Sequence, residues 1–342
     1  MSVHHKVAIV ILNWNGEKYL QRFLPGVLAN SLATEVAVYV ADNGSTDGSV
    51  ELLRSGFPQV NLILLDRNYG YAEGYNRALR QLESDFFVLL NSDVEVPEGW
   101  LKPLLSFMQS NPNAAACAPA IMDIAHSGYF EYAGAAGGFI DRFGYTFCRG
   151  RILSVIEQDT GQYDQPCEVF WASGACMMVR ASAFREANGF DDNFFAHMEE
   201  IDLCWRLLNM GYSVWSIPES KVYHVGGGTL PNNNPFKLYL NYRNSLFMLH
   251  KNLPKNAFYQ TIITRLLLDW LSAVAYLFRM QLKFFGAVVK SHFHYYREVS
   301  RLNGFRSSFQ HPKTNSAKVI YHRSLLFDFF ILHRRKFSEL KF

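Results

Sequence analysis

Among the residues able to do chemistry, three acids stand at the predicted end of a strand or start of a helix: Asp93, Glu199 and Glu200. Asp93 lies in Leu89-Leu90-Asn91-Ser92-Asp93-Val94-Glu95, an apolar run that ends in polar and acidic residues. A divalent cation bridging a pyrophosphate needs hard oxygen ligands at a rigid strand end, with positions left open for phosphate oxygens and water. Asp93 is the metal ligand on this reading. Asn91, two residues earlier on the same side of an extended chain, can hydrogen-bond a ribose without adding charge. The plain alternative is a set of solvated loop acids ahead of Pro97. Glu199 and Glu200 belong to the acid-rich stretch 190–206 and occupy the first turn of a predicted helix, where the helix dipole favours negative charge. Two adjacent carboxylates beside a metal-diphosphate can include a general base, with a pKa set by burial, like-charge repulsion and the cation. Acidic decoration of a helix start explains the same pair. Asp202 and Arg206, four apart, are spaced to pair along that helix.

Three further segments share the strand-end position. His224, in Val222-Tyr223-His224-Val225-Gly226-Gly227-Gly228-Thr229, closes a strand ahead of a glycine-rich turn, where a neutral imidazole can complete a metal shell. Asp42, in Ala41-Asp42-Asn43-Gly44-Ser45-Thr46-Asp47-Gly48-Ser49, can accept hydrogen bonds from a nucleobase imide or a ribose; an Asx turn with helix capping by Asp47 or Ser49 accounts for it as well. Asn13 ends the first strand in the same way. The segment 66–76, with Asp66, Asn68, Gly70 and Asn76, leaves a strand and opens a helix. Its glycines permit close backbone approach, and free amides at the helix start suit a diphosphate or ribose; a tyrosine-packed turn is the alternative.

These residues need a scaffold that brings strand ends together. Strand-like runs at 7–12, 36–41, 60–65 and 86–90 alternate with helix-like segments at 19–30, 49–55 and 71–82, a pattern that predicts a mostly parallel sheet with helices on its faces. In such sheets ligands lie beyond the carboxyl ends of the strands. A helix over 100–111, strands over 114–122, 168–180 and 214–224, and a helix over 199–210 follow, with 124–165 expected as an irregular insertion. The chain has 342 residues and is 49% apolar, which is ample for a real core and excludes extended disorder. Five cysteines, odd in number and without a Cys-x-x-Cys pair, argue against a disulfide framework or a zinc site and fit a reducing cytosol. The first apolar stretch is too short for a signal peptide and reads as a strand.

Charge divides the chain. Residues 1–250 carry 17 Lys/Arg against 26 Asp/Glu, whereas residues 251–342 carry 16 against 4. An acidic part, 1–250, thus precedes a basic, helical extension, 251–342, suited to an anionic surface. A continuous helix is predicted over 258–290. Its charges, Arg265, Asp269, Arg279, Lys283 and Lys290, interrupt every run before the roughly 18 apolar residues of a membrane span. They cluster on one arc and leave Leu266, Leu267, Trp270, Leu271, Val274, Leu277 and Phe278 as an apolar face. Such a helix can lie in the headgroup layer with its basic groups toward phosphates, or it can pack on the catalytic domain. The apolar company of the basic residues favours lipid over nucleic acid, and a peripheral place on the cytoplasmic face of the cell membrane is the expectation. Oligomeric state is left open.

Taken in order, from Lys6 to His250, these motifs resemble the family 2 glycosyltransferases of the GT-A fold, especially their rhamnosyltransferase-like branch. The resemblance implies transfer of a sugar from a nucleotide-diphosphate donor to a hydroxyl of a glycan or lipid-linked acceptor, with inversion and a divalent metal, Mg²⁺ or Mn²⁺. It implies dTDP-rhamnose first and UDP-hexoses next, and a catalytic domain with a nucleotide-binding half at 1–95 and an acceptor half at 96–250. By position it assigns Asp42 to the base, Asn91 and Asp93 to the Asp-x-Asp site, Glu200 to the catalytic base and His224 to the metal. Two departures stand out: Asn91 replaces the first acid, and Glu200 stands where Asp is usual, so Glu199 stays an alternative base. Trp171, Ser173 and Gly174 are expected to floor the acceptor site, an aromatic face suiting sugar C–H groups, with core packing as the other account of Trp171. A nucleotidyltransferase is disfavoured, because Asn13-Trp14-Asn15-Gly16-Glu17-Lys18 lacks the spacing and charge to cradle a triphosphate. An inactive glycan-assembly subunit of the same fold is the other alternative.

Overall fold

The computed structural model describes residues 5–226, 233–308 and 316–342. Gly227, Gly228 and Thr229 of the glycine-rich turn lie outside the described residues.

Continuous apolar runs form the first four strands because helices cover both faces of the sheet. These are β1 (His5–Asn13), β2 (Val36–Asn43), β3 (Asn61–Leu65) and β4 (Ser84–Asn91). Between them run α1 (Glu17–Ser31), α2 (Ser49–Gly56) and α3 (Gly70–Leu79). The chain continues through β5 (Val94–Glu95), α4 (Leu101–Ser110) and β6 (Ala114–Asp123). The stretch expected to be irregular contains four short strands, β7 (Gly138–Asp141), β8 (Thr146–Cys148), β9 (Arg151–Ile152) and β10 (Val155–Ile156). Two- to four-residue strands are too short to display a two-residue period, which is why the pattern was invisible.

The strand expected over 168–180 is two strands, β11 (Cys167–Glu168) and β12 (Cys176–Arg180), parted by a buried turn. After α5 (Ala181–Glu186) and α6 (Glu199–Asn209) comes β13 (Ser213–His224). The main sheet has the order β11-β13-β6-β12-β4-β1-β2-β3, with β5 on β13. Strands β3, β2, β1 and β4 are mutually parallel, as are β6 and β13, while β12 runs antiparallel between β4 and β6. Asn13, Asp42, Asn91 and His224 therefore end their strands at one edge, and the start of antiparallel β12 joins them there. The sheet reverses order at β1, flanked by β2 and β4, which is where α/β sheets form their ligand crevice.

The C-terminal region folds as α7 (Pro235–Asn252), α8 (Lys255–Phe278), α9 (Leu282–Ser308), β14 (Ile320–Tyr321) and α10 (Leu325–Phe330). The single helix expected over 258–290 is broken at 279–281, where Met280 takes a positive φ of 56°. The tail is woven into the body: β14 adds to the small sheet beside β7, and the Phe337 ring lies 5.1 Å from Phe139. Lys251 of α7, fully buried, reaches Asp191 at 2.8 Å and Asp202 of α6 at 2.9 Å, and Asp202 also pairs with Arg206 at 2.8 Å.

Helix α8 faces the opposite way from the expectation. Arg265 and Asp269 turn inward, paired at 2.8 Å, and Arg265 also donates to the carbonyls of Phe143 and Gly144 in the β7–β8 turn. Burying these charges within the protein leaves the apolar stripe outside. Leu267 is 61% exposed, Leu271 65% and Phe278 85%. By length and composition α8 could cross a membrane, but its inward charges tie it along the catalytic body.

Candidate active site

On the nucleotide side, β1 and β2 pair in register at Asn13 and Asp42. Asn13 Nδ2 donates to Asp42 Oδ1 at 3.1 Å and to Ser45 Oγ at 3.2 Å, and Asp42 Oδ2 accepts from the Ser45 amide at 3.0 Å. The Asx turn is thus present, and each Asp42 oxygen keeps a further lone pair for a ligand. Asn13 Oδ1 is buried without a hydrogen-bond partner among the described residues, an acceptor suited to an incoming N–H.

The segment opening α3 is more occupied than its sequence implies. Asp66 is exposed and accepts the Tyr69 hydroxyl at 2.7 Å, a bond that holds its carboxyl below the usual range. Asn68 Oδ1 accepts from the Gly70 amide at 2.8 Å and from Asn43 Nδ2 at 3.2 Å. The amides expected to be free for a diphosphate are taken: those of Tyr71 and Ala72 both donate to the Phe195 carbonyl, at 2.6 and 3.3 Å. Gly70, at φ 76°, admits the Phe195 ring, which a Cβ would meet at 2.5 Å. Asn76 is likewise committed. Its Nδ2 donates to the Phe190 carbonyl and to Asp192 Oδ1, and its Oδ1 accepts from the Phe190 amide, so it braces the 190–192 loop rather than facing a ligand.

At the end of β4 the chain does not stay extended. It turns at Ser92 and Asp93 and re-enters as β5, so Asn91 and Asp93 do not share one strand face. Because β5 pairs with β13 at Val94 and His224, the imidazole is brought onto Asp93 with Nε2 3.1 Å from Oδ1. Glu131 stands on the other side of the ring, its Oε2 3.4 Å from Nδ1, an ion-pair contact without hydrogen-bond alignment. Burial would lower the His224 pKa, yet the two carboxylates outweigh it and raise it to about 10. Beside these carboxylates the ring is held toward its protonated form. Sequence reasoning missed Glu131 because it lies in the stretch without a period; its one signal is an acid between Phe130 and Tyr132 in an apolar, glycine- and alanine-rich context.

Asp93 and His224 offer one hard oxygen and one nitrogen, both buried, at the end of a rigid strand. That donor set fits a divalent cation whose other ligands are diphosphate oxygens and water. Among the described residues no group of three His, Cys, Asp or Glu side chains could hold a metal without such help.

On the other side of β4 from β1, the buried turn before β12 lies beside the strand end, since the Asn91 amide donates to the Ala175 carbonyl at 3.0 Å. Ser173 Oγ donates to the Ala133 carbonyl at 2.5 Å, and the Ala133 amide donates to Glu131. The Gly174 carbonyl accepts the Tyr71 hydroxyl at 2.7 Å. Tyr71 is half-buried, and its phenol is raised by burial, by Tyr75 and by the charges of Glu199 and Glu200. One chain of contacts thus runs from Asp93 through His224, Glu131, Ala133, Ser173 and Gly174 to Tyr71, whose phenol feels the charges of the two glutamates. Trp171 is not part of this rim. Its indole N–H donates to the Phe139 carbonyl at 3.0 Å and its ring fills the space of a Cβ on Gly138, so it pins the small sheet to the core.

The glutamates open α6 without a side-chain cap. Glu199 is buried, and burial together with Glu200 raises its pKa well above the carboxylate range. Glu200 is less enclosed, and burial raises it to about 7. Each keeps one buried oxygen without a partner among the described residues.

Comparison with known proteins gives the family and the fold. The family model "Glycosyl transferase family 2" matches residues 8–187. The N-acetylglucosaminyl-diphospho-decaprenol L-rhamnosyltransferase of Mycobacterium tuberculosis is 32% identical over 63% of this chain and 75% of its own. The dTDP-rhamnosyl transferase RfbF of Shigella flexneri is 26% identical over 65% of this chain and 75% of its own. Among solved structures, the mannosyltransferase PcManGT from Pyrobaculum calidifontis, in complex with GDP-Man and Mn²⁺, superposes with a TM-score of 0.54 at 12% identity, over 86% of this chain and 87% of that one. A match over more than half the chain, on a GT-A fold, means that this protein belongs to glycosyl transferase family 2, as a rhamnosyltransferase-like glycosyltransferase.

Proposed function

We propose that this enzyme transfers rhamnose from dTDP-rhamnose to a hydroxyl of a lipid-linked glycan at the inner face of the cell membrane. The observation that carries the reading is the line of contacts from the Asp93–His224 pair through Glu131 and Ser173 to Tyr71, the phenol whose pKa the charges of Glu199 and Glu200 help to raise. The names of the M. tuberculosis and S. flexneri relatives support rhamnose, and the first supports a polyprenyl-diphosphate acceptor.

Asp42 and Asn13 bind the base, Asn91 the ribose, and Asp66, Asn68 and Gly70 border the nucleotide. Ser173 and Gly174 line the acceptor side. Glu200 takes the proton from the acceptor hydroxyl, whose oxygen bonds to C1 of the sugar as the C1–O bond to phosphate breaks with inversion. The electron pair leaves on the nucleotide diphosphate. Asp93 and His224 would hold the divalent cation, which would neutralise charge on the leaving diphosphate. A pKa near 7 suits Glu200 to this task better than the fully enclosed Glu199.

Residues 1–250 carry the chemistry, and the outer stripe of α8 in residues 251–342 meets the bilayer, lying in the interface rather than spanning it. Purified protein is tested with dTDP-rhamnose, UDP-hexoses and Mn²⁺, with N-acetylglucosaminyl-diphospho-polyprenol as acceptor and mass spectrometry of the product. Transfer from dTDP-rhamnose that vanishes in Glu200→Gln is expected. Transfer only from another nucleotide sugar would overturn the donor, and undiminished turnover by the variant would overturn the base.

A further inference from the structure

Residues 193–198 deliver Glu199 and Glu200 to the rim through an unusual backbone. Phe195, His197 and Met198 have φ values of 65°, 69° and 70°, a region disfavoured for any residue with a Cβ. Such conformations persist only where the surroundings over-determine them. Two helices do so here. From α3, the amides of Tyr71 and Ala72 hold the Phe195 carbonyl. From α7, the fully buried Asn244 directs Nδ2 at three carbonyls, those of Phe194 at 3.0 Å, Ala196 at 2.9 Å and His197 at 2.7 Å. Arg243 fixes that amide, donating from Nε to Asn244 Oδ1 at 2.8 Å, and its Nη2 holds the carbonyls of Asn193 and Phe194 at 2.9 Å each.

We infer that Asn244, oriented by Arg243, is a positioning residue for the proton acceptor: it gathers the 194–197 carbonyls so that α6 begins at Glu199 with Glu200 aimed at the rim. The inference rests on Glu200 being the base. An amide with two N–H groups serving three carbonyls has no spare donor, and it is the one side chain that ties the Phe194, Ala196 and His197 carbonyls together, beside the bonds from α3 and Arg243. Released from it, the three left-handed residues are free to relax to ordinary basins, and the start of α6 moves with them. Misplacement of a catalytic group by about 1 Å costs on the order of 100-fold in rate.

The test uses the full chain and compares Asn244→Asp with Glu200→Gln and wild type. The Asp is isosteric with Asn but replaces the donors with acceptors that repel the carbonyls. We expect Asn244→Asp to lower kcat by about 100-fold, with the KM for dTDP-rhamnose and the affinity for dTDP plus Mn²⁺ within about twofold of wild type, and to move the acid limb of the kcat–pH profile. Near-normal kcat in Asn244→Asp beside an inactive Glu200→Gln overturns the positioning role and leaves the base intact. A loss shared equally by kcat, dTDP affinity and thermal stability overturns it too, since that is what a merely structural residue would produce. Full turnover by Glu200→Gln instead removes the base assignment and the inference with it. If Asn244→Asp does not fold, Arg243→Met carries the same test: about a 10-fold lower kcat at unchanged dTDP affinity supports the inference, and unchanged kcat overturns it.

Discussion

Nε2 of His224 lies 3.1 Å from Oδ1 of Asp93, although 131 residues separate them along the chain. The pairing of β5 with β13 brings them together, and Glu131 closes the far side of the ring. A carboxylate behind a histidine fixes which nitrogen faces forward and raises its basicity as a ligand.

Removing either front residue should remove the metal-dependent part of nucleotide binding. In Asp93→Ala and His224→Ala, calorimetric affinity for dTDP should be the same with and without Mn²⁺. Glu131→Gln should keep the site but weaken Mn²⁺ binding by about 10- to 100-fold. Unchanged Mn²⁺ affinity would show that Glu131 does not support the ring.

Activity should follow the ionisation of Glu200. The base works only when deprotonated, and burial raises its pKa to about 7. The rate should therefore fall about tenfold per pH unit below that value and level off above it. Stability runs the other way: between the ordinary carboxylate pKa and about 7 the native state binds more protons than the unfolded chain, so this group's contribution declines as pH rises. Glu200→Gln should flatten that stability trend, which chemical denaturation across pH measures.

Lys251 should be a stability residue. Its replacement by Met leaves Asp191 and Asp202 buried without their shared cation, at a cost of about 3–5 kcal/mol by urea unfolding. Burial would raise the Asp191 carboxyl, but Lys251 outweighs it and holds it well below the usual range. That stabilisation is present above the ordinary carboxylate pKa and is lost as pH falls below it. Wild type should lose stability between about pH 4 and lower values, and Lys251→Met should lack this component.

Trp171 should behave as core. Trp171→Ala should lower stability by about 3–5 kcal/mol, with the acceptor KM of the folded fraction unchanged. A raised acceptor KM at normal stability would return the indole to the acceptor site.

The outer stripe of α8 should govern lipid contact. Leu267→Glu with Leu271→Glu should abolish sedimentation with anionic vesicles. Because both positions are exposed, each should change folding stability by no more than about 0.5 kcal/mol. Equal vesicle binding by the double variant would remove the membrane from the proposal.

Much of the scaffold could be read from local patterns. The runs around Val7, Val36 and Phe86 are long enough to stand out as continuous apolar strands, and the helices between them carry one apolar face each, so the α/β class followed from neighbours in the chain. The strand-end position of Asn13, Asp42, Asn91 and His224 followed too, because it needs only the direction of each strand. The small sheet did not, since strands of two to four residues are too short to repeat the two-residue period that would reveal them.

By itself the sequence determined which side chains reach the sheet edge and what chemistry their types allow. Tertiary structure alone decided who meets whom. It placed Glu131 behind His224, gave the α3 amides to the Phe195 carbonyl, spent Asn76 and Trp171 on internal bonds, and turned the charges of α8 inward. The physical reason is that a strand or helix pattern records only how a segment is half buried, whereas a hydrogen bond depends on the partner delivered from elsewhere. Arg265 illustrates it: on an isolated helix it reads as a headgroup contact, and only the β7–β8 turn, with its two carbonyls, makes burial the lower-energy choice.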